Sequence, residues 1–367
     1  MAPFEAARRV LHEAAAARVF PGAVVEAGTR RRVLWREACG RLTFEPSAPS
    51  ARDDTIFDLA SLTKVLATSL IAMRLADDGR LDLDAPVADL VPAWPAEGER
   101  GRVRVVDLLA HASGLPAHRP YYETCEGREA FAAALATEGL EYEPRSRSVY
   151  SDLGFILLGF ALERLEGVPL DAQFERLRGP LGAAGALPGE AEAPLAIGFG
   201  VPADAPGRVA PTRADAVPPD RVHDENAAAL GGVAGHAGLF GTVAAVGAAA
   251  RAMLGAVEAG TTGPRLASRP MAARFTSRAG VPGSSRALGW DTMLPSSSCG
   301  TRMSPRAFGH TGFTGTSLWI DPAAGLYVVQ LTNRVYPGGG TAEDIREFRR
   351  ALHDAVMADG TSSNRAG

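Results

Sequence analysis

Apolar residues near the start of the chain follow two different periods. Residues 4–19 form an alanine-rich pattern with apolar side chains on one side, which predicts an amphipathic helix. The segments 23–28 and 32–36 are short and largely apolar, and Gly28-Thr29 lies between them, which predicts a β-hairpin. The first part of the chain therefore supplies one helix and two strands.

The middle of the chain is predicted to be mostly helical. Helical spacing of apolar residues recurs in five segments, which are 65–75, 103–111, 128–137, 153–165 and 227–254. Glycines interrupt the last of these segments. Residues 182–222 are rich in Ala, Pro and Gly and lack a clear period, so we expect a long surface loop above a cleft.

The end of the chain returns to strands. The segments 307–312, 316–320 and 326–331 predict three successive antiparallel strands, and 341–357 predicts a closing helix. Because strands occur at both ends with helices between them, we predict an α+β fold. Its antiparallel sheet would be assembled from the two ends of the chain.

Composition and charge exclude several classes of protein. The 367 residues are 46% hydrophobic and 22% charged, which is typical of a globular protein long enough for two lobes. A net charge of −4 gives no electrostatic basis for binding nucleic acid or an anionic membrane. The sequence shows neither a signal-peptide pattern nor an apolar run that would span a bilayer. We therefore expect a soluble cytoplasmic protein, unless a leader has been removed.

One basic residue differs from all the others in type. Lys64 is the single lysine in the chain, and every other cation among the 38 Lys plus Arg is arginine. A surface lysine can be exchanged for arginine at little cost. An amine that takes part in proton transfer cannot, because guanidinium stays charged. We therefore predict that Lys64 is retained for chemistry.

Ser61 and Lys64 are three residues apart at the start of a predicted helix. Positions i and i+3 share one helix face, so the hydroxyl and the amine can touch. A serine there also lies near the free N–H groups of the helix start. The alternative is a chance Ser-x-x-Lys on a helix surface.

Two further segments supply groups that a serine nucleophile requires. Tyr150-Ser151-Asp152 offers a second base, and the nearby cations Arg145 and Arg147 are expected to favour its phenolate. The segment 309–312 contains His310, Thr311 and Gly312 on a predicted strand. The edge of such a strand can donate a backbone N–H to a developing oxyanion.

These three motifs, in this order and spacing, resemble those of the penicillin-recognising serine hydrolases. The branch that looks most similar contains class C β-lactamases and the related β-lactamase-fold esterases and D-aminopeptidases. The likeness covers most of the chain and includes the flanking segments 79–87, 108–115, 150–155, 288–290 and 309–315.

The resemblance implies a role for each motif. Ser61 would be the acylated nucleophile, and Lys64 would hydrogen-bond to it and bias Tyr150 toward the role of base. Tyr150 would carry the proton to the leaving group and then activate water. The backbone N–H groups of Ser61 and Phe313 would form the oxyanion hole. No metal or organic cofactor is implied.

The resemblance also implies a β-lactamase/transpeptidase-like fold, in which helices flank the antiparallel sheet and a mostly helical lobe adjoins it. We expect residues 1–60 and 240–367 to form the α/β lobe. Residues 61–239 would form the helical lobe, with the nucleophile at the junction.

The sequence departs from the β-lactamase pattern at two positions that would line the substrate site beside Thr311 and Gly312. Asp152 stands where asparagine is usual, and His310 stands where lysine is usual. Both changes make the cleft less positive, which favours a neutral or cationic small ester or amide over a β-lactam or a free C-terminal D-alanine. If Asp152 instead pairs with Lys64, the net effect on substrate charge is small.

The predicted activity is that of an esterase or amidase acting through an acyl-enzyme. The first alternative is a β-lactamase, a D,D-carboxypeptidase or a D-aminopeptidase. The second is a non-catalytic binding or sensor module on the same fold, which an unreactive Ser61 would support.

The remaining polar residues are predicted to be structural. His111 is expected to stabilise a turn, residues 222–226 to cap a helix rather than bind a metal, and residues 235–238 to form a tight loop near the site. The cysteines show no disulfide or zinc spacing and are expected to be reduced thiols; they are Cys39, Cys125 and Cys299.

Overall fold

The computed structural model describes residues 4–189, 195–201, 205, 207–214, 221–260 and 263–364. Its strands are β1 (Gly22–Gly28), β2 (Val33–Gly40), β3 (Phe57–Asp58), β4 (Ile197–Phe199), β5 (Leu239–Gly241), β6 (Asp291–Thr292), β7 (Phe308–Thr311), β8 (Ser317–Asp321) and β9 (Leu326–Thr332). Its α-helices are α1 (Glu5–Ala16), α2 (Ser69–Asp77), α3 (Val87–Leu90), α4 (Gly98–Gly101), α5 (Val105–Leu109), α6 (Gly127–Thr137), α7 (Asp152–Glu166), α8 (Leu170–Gly185), α9 (Glu225–Ala229), α10 (Val243–Val257), α11 (Arg269–Thr276) and α12 (Ala342–Asn364). A π-helix spans Lys64–Thr68 and a 3₁₀ helix spans Tyr121–Glu123.

The two ends of the chain form neighbouring strands of one six-stranded antiparallel sheet, which confirms the predicted arrangement. The strand order is β2-β1-β9-β8-β7-β6. The first and last strands in sequence are neighbours inside this sheet, where Val24 of β1 pairs with Leu331 of β9. This pairing joins the N-terminal hairpin to the strands that carry the third motif.

Alternate residues of β1 enter apolar clusters on opposite faces of the sheet. Val25 packs in the cluster that contains Leu11 of α1 and Leu352 of α12. Val24 packs in the larger cluster, which includes Val246 of α10. This period of two is what a strand buried on both faces produces. The larger cluster continues into α7 and α8, so one apolar core joins the sheet to the helices.

A second, three-stranded sheet was not predicted. Its order is β3-β5-β4, and Asp58 pairs with Phe240 across the first two strands. Strands of two or three residues are too short to show a period, so the helical interpretation of 227–254 missed β5. This small sheet matters for the site because β3 leads directly into the Ser61 motif.

Other boundaries differ from the prediction. The predicted loop 182–222 begins inside α8 and includes β4, and its residues 190–194, 202–204, 206 and 215–220 lie outside the described part of the chain. Helix α12 continues beyond the predicted end at residue 357. None of the described helices has both the length and the apolar composition needed to cross a bilayer.

Candidate active site

Ser61 lies in the turn between β3 and the π-helix, and the backbone before it adopts a costly conformation. Ala60 has a φ of 47°, in the left-handed region that residues with a Cβ rarely adopt. Two side chains hold this turn in place. The Asp58 carboxylate accepts from the Ala60 N–H at 2.8 Å, and the Thr63 hydroxyl donates to the Ala60 carbonyl at 2.7 Å.

Lys64 is fully buried, and its ammonium group has three partners. Nζ donates to Ser61 Oγ at 3.1 Å, to Asp152 Oδ1 at 2.7 Å and to the His236 carbonyl at 3.1 Å. Burial favours the neutral amine, but the carboxylate of Asp152 and the phenol of Tyr150 raise the pKa of Lys64 above its ordinary value. The amine is therefore protonated at neutral pH. The pairing of Asp152 with Lys64 that sequence left open is present.

Tyr150 lies beside this ion pair. The Lys64 Nζ atom is 4.8 Å from the centre of the Tyr150 ring, on which it has a cation–π contact. Burial raises the pKa of the phenol more than Lys64 lowers it, and Asp152 raises it further. The resting side chain is therefore a neutral phenol.

The expectation that neighbouring cations make Tyr150 a phenolate was wrong, both in the charge of the side chain and in the cations chosen. Arg145 turns away to form an ion pair with Asp107 at 3.0 Å, and Arg147 lies over the ring of Tyr142. Closeness in sequence did not place either guanidinium on Tyr150.

His310 is a buried neutral imidazole. Burial, followed by the charges of Arg286 and Lys64, lowers its pKa well below the ordinary value. Its Nδ1 lies 2.8 Å from the Thr311 carbonyl, so that nitrogen carries the hydrogen because a carbonyl only accepts. The ring centre is 5.8 Å from that of Tyr150. The neutral charge state assumed from sequence is therefore consistent with the surroundings of His310.

His111 has the structural role predicted for it and also contacts Tyr150. Its Nδ1 accepts from the Ser151 N–H at 3.1 Å, which ties the turn at His111 to the Tyr150 motif. The ring lies behind Tyr150, with 4.7 Å between the two ring centres.

The turn after β3 and the loop after β7 each bring one backbone donor to the same cavity. Within the described part of the chain, the N–H groups of Ser61 and Phe313 donate to no other group. Both residues line a cavity of about 660 Å³, together with Tyr150, Asp152, His310, Thr311 and Gly312. Lys64 contacts two of the lining residues, Ser61 and Asp152. The structure therefore brings together all eight residues that the sequence selected.

Arg286 is a residue of this cavity that the sequence analysis missed. Its guanidinium carbon lies 5.1 Å from the centre of the Tyr150 ring. Among the described residues no carboxylate forms an ion pair with it. Asp291, whose backbone bridges to that of Arg286, instead accepts from the Ser285 hydroxyl and the Thr292 N–H. Nothing in the sequence distinguishes this arginine from the many others.

Comparison with known proteins gives the same assignment. The profile of the Beta-lactamase family matches residues 7–352. A protein of Salmonella gallinarum is 33% identical over 313 residues, covering 77% of this chain and 70% of that protein. It is named D-alanyl-D-alanine carboxypeptidase, an activity that its name gives as provisional.

Solved structures share the fold. EstCE1, described as a hydrolase with promiscuous acyltransferase activity, is 24% identical with a TM-score of 0.73, covering 96% of this chain and 98% of that chain. A penicillin-binding protein homologue from Caulobacter crescentus is 23% identical with a TM-score of 0.73, covering 97% of both chains. At such identities the likeness shows the fold alone, whereas the family profile and the carboxypeptidase relative show membership. The chain belongs to the beta-lactamase family, whose members are serine hydrolases.

Proposed function

We propose that this chain hydrolyses a small amide or ester through an acyl-enzyme on Ser61. The observation that supports this most directly is the contact of the Ser61 hydroxyl with the buried Lys64 ammonium, in a cavity that also holds Tyr150. Two backbone N–H groups that have no acceptor among the described residues line the same cavity. A binding module needs a cavity, but it does not need this set of groups.

In this proposal Tyr150 moves the protons. Its phenolate, formed in a minority of molecules and stabilised by the Lys64 ammonium, takes the Ser61 proton as Oγ attacks the carbonyl carbon. The N–H groups of Ser61 and Phe313 donate to the oxyanion. Tyr150 then returns the proton to the departing nitrogen or oxygen, which leaves the acyl group on Ser61. A water molecule then attacks the acyl carbon while Tyr150 takes its proton. Tyr150 returns this proton to Ser61 Oγ, and the acid is released.

The charge of Arg286 favours a substrate with a carboxylate on its leaving group. Asp152 no longer acts as a free negative charge, because Lys64 neutralises it. Arg286 supplies positive charge beside Tyr150, the residue proposed to return the proton to the leaving group. We therefore revise the preference for a neutral or cationic substrate that His310 and Asp152 suggested. The name of the Salmonella relative describes such a substrate class.

A neutral ester is the second candidate, and Phe313 favours it. This side chain is 67% exposed at the cavity, where its ring stacks on His223. An exposed ring offers apolar contact to an acyl chain without requiring any charge on the substrate.

Turnover of two thioesters tests the proposal. We would compare an acyl-glycine thioester of mercaptoacetate with the matched thioester of mercaptoacetamide, and include a chromogenic cephalosporin and the Ser61→Ala variant. The proposal predicts faster thiol release from the carboxylate substrate, and loss of release in Ser61→Ala. Equal rates for the two thioesters would favour the neutral-ester candidate. Brisk cephalosporin turnover would instead indicate a β-lactamase.

A further inference from the structure

The two N–H groups proposed as the oxyanion hole belong to peptide units whose carbonyl oxygens accept hydrogen bonds from buried side chains. In a trans peptide the N–H and the C=O point in opposite directions. A donor that fixes the carbonyl therefore fixes the direction of the N–H. This feature is present at both peptides, and each uses a different residue.

Arg349 of α12 holds the peptide that ends in the Phe313 N–H. Its Nη2 donates to the Gly312 carbonyl at 3.0 Å and to the Thr316 carbonyl at 2.9 Å. The side chain is only 8% exposed, and burial lowers its pKa to about 9, which leaves it charged at neutral pH. Arg334 holds the next carbonyl, that of Phe313, at 2.8 Å.

Thr63 holds the peptide that ends in the Ser61 N–H. Its hydroxyl donates to the Ala60 carbonyl and accepts from the Leu239 N–H at 3.1 Å. Thr63 is fully buried, and the second bond anchors it to the small sheet. The left-handed backbone of Ala60 is thus held by a contact to a neighbouring strand.

The two peptides are also tied to each other. The Thr314 hydroxyl donates to the Asp58 carbonyl at 2.9 Å, and the Thr316 hydroxyl donates to the Leu59 carbonyl at 3.2 Å. These bonds join the turn after β7 directly to the strand that precedes Ser61. They fix the spacing between the two halves of the oxyanion hole.

We propose that Arg349 and Thr63 are positioning residues, which set the direction and the donor strength of the oxyanion-hole N–H groups through the Gly312 and Ala60 carbonyls. A charged donor on a carbonyl polarises the whole peptide and strengthens its N–H as a donor. Because the groups are fixed before reaction, no reorganisation is needed as negative charge develops. This inference rests on the proposed acyl-enzyme mechanism.

The test uses the full-length protein and the mercaptoacetate thioester. We expect Arg349→Ala to lower kcat on the order of 10 to 100-fold, because the Gly312 carbonyl loses its charged donor and keeps the neutral Gly315 N–H at 3.1 Å. KM should stay within about threefold of the wild-type value, because the lost interaction stabilises the transition state and not the bound substrate. Methylguanidine should restore part of kcat. Arg346→Ala, which removes an exposed arginine of the same helix, is the matched control and should leave kcat unchanged.

A second variant covers the case in which Arg349→Ala does not fold. Thr63→Val removes the hydroxyl donor from the Ala60 carbonyl but leaves the Thr63 N–H, which donates to it at 3.0 Å, and Thr63→Ser keeps both donors. We expect a loss on the order of tenfold in kcat for Thr63→Val and substantial recovery for Thr63→Ser. Circular dichroism and the melting temperature show whether each variant is folded.

Several outcomes would overturn the inference. A folded Arg349→Ala with unchanged kcat, or Thr63→Ser as slow as Thr63→Val, would do so. A rise in KM alone for Arg349→Ala would make Arg349 a direct substrate contact. Failure of the inference is distinguishable from failure of the mechanism, because the latter appears as turnover by Ser61→Ala.

Discussion

Replacing Arg286 with alanine is the sharpest test of the substrate class. The change removes a guanidinium from the cavity wall beside Tyr150. Since no described carboxylate pairs with it, no protein charge is left without its partner. Little stability should therefore be lost, and the effect should fall on substrates that carry a carboxylate.

The expected magnitude follows from the exposure of the site. Arg286 is half-buried, so an effective dielectric constant of about 20 is suitable, and a carboxylate about 4 Å away gains about 4 kcal/mol. Dehydration of both charges removes part of this gain, which leaves about 1.5–3 kcal/mol for a charged hydrogen bond. We therefore expect kcat/KM for the carboxylate substrate to fall on the order of 10 to 100-fold.

The assay compares the mercaptoacetate and mercaptoacetamide thioesters for wild type, Arg286→Ala and Arg286→Lys. Arg286→Ala should lose its preference for the charged leaving group, and Arg286→Lys should keep part of it because the charge remains. Arg306→Ala, which removes an exposed arginine elsewhere, is the control. An equal loss with both thioesters would refute the reasoning, since it would place Arg286 in the structure of the site rather than in substrate recognition.

Three further predictions follow from burial and packing. Lys64→Arg should lower kcat/KM at least about 100-fold in a folded protein, because a fully buried site cannot admit a longer planar group; near-normal turnover would contradict this. Burial lowers the pKa of His353 from 6.5 to about 4, so the unfolded state takes up a proton first as pH falls. Between pH 7 and 5, wild type should lose about 2 kcal/mol more stability in urea unfolding than His353→Gln, and equal losses would refute this. Gly312→Ala should abolish turnover, because its Cβ would lie 2.1 Å from the Thr316 hydroxyl; Gly139→Ala, which meets nothing, should remain active.

The main sheet was predictable because its signals are local. Strands such as β9 are long enough to show their apolar run, and Gly28-Thr29 marks the hairpin between β1 and β2. The small sheet was not predictable, because β3 and β5 are too short to carry a period. Their pairing depends on contacts between residues that are far apart in the chain.

The motif residues were also predictable, since their types and order are a chemical signature. Their charge states were not. The pairing of Lys64 with Asp152 joins positions 88 residues apart, and sequence could offer it only as an alternative. Arg145 and Arg147 were misassigned because their side chains contact Asp107 and Tyr142 instead of Tyr150. The chain has many arginines. Their number made the single lysine easy to identify, but it also left no basis for selecting Arg286 among them.

Covalent labelling of Ser61 is the most direct test of the central claim. The enzyme would be mixed with the mercaptoacetate thioester, quenched in acid within milliseconds, and analysed by intact-protein mass spectrometry and peptide mapping. The account predicts a mass increase equal to the acyl group, located on Ser61 and absent from Ser61→Ala. Two results would contradict the account. One is turnover by the Ser61→Ala variant although it forms no adduct, and the other is an adduct on a different residue of the wild type.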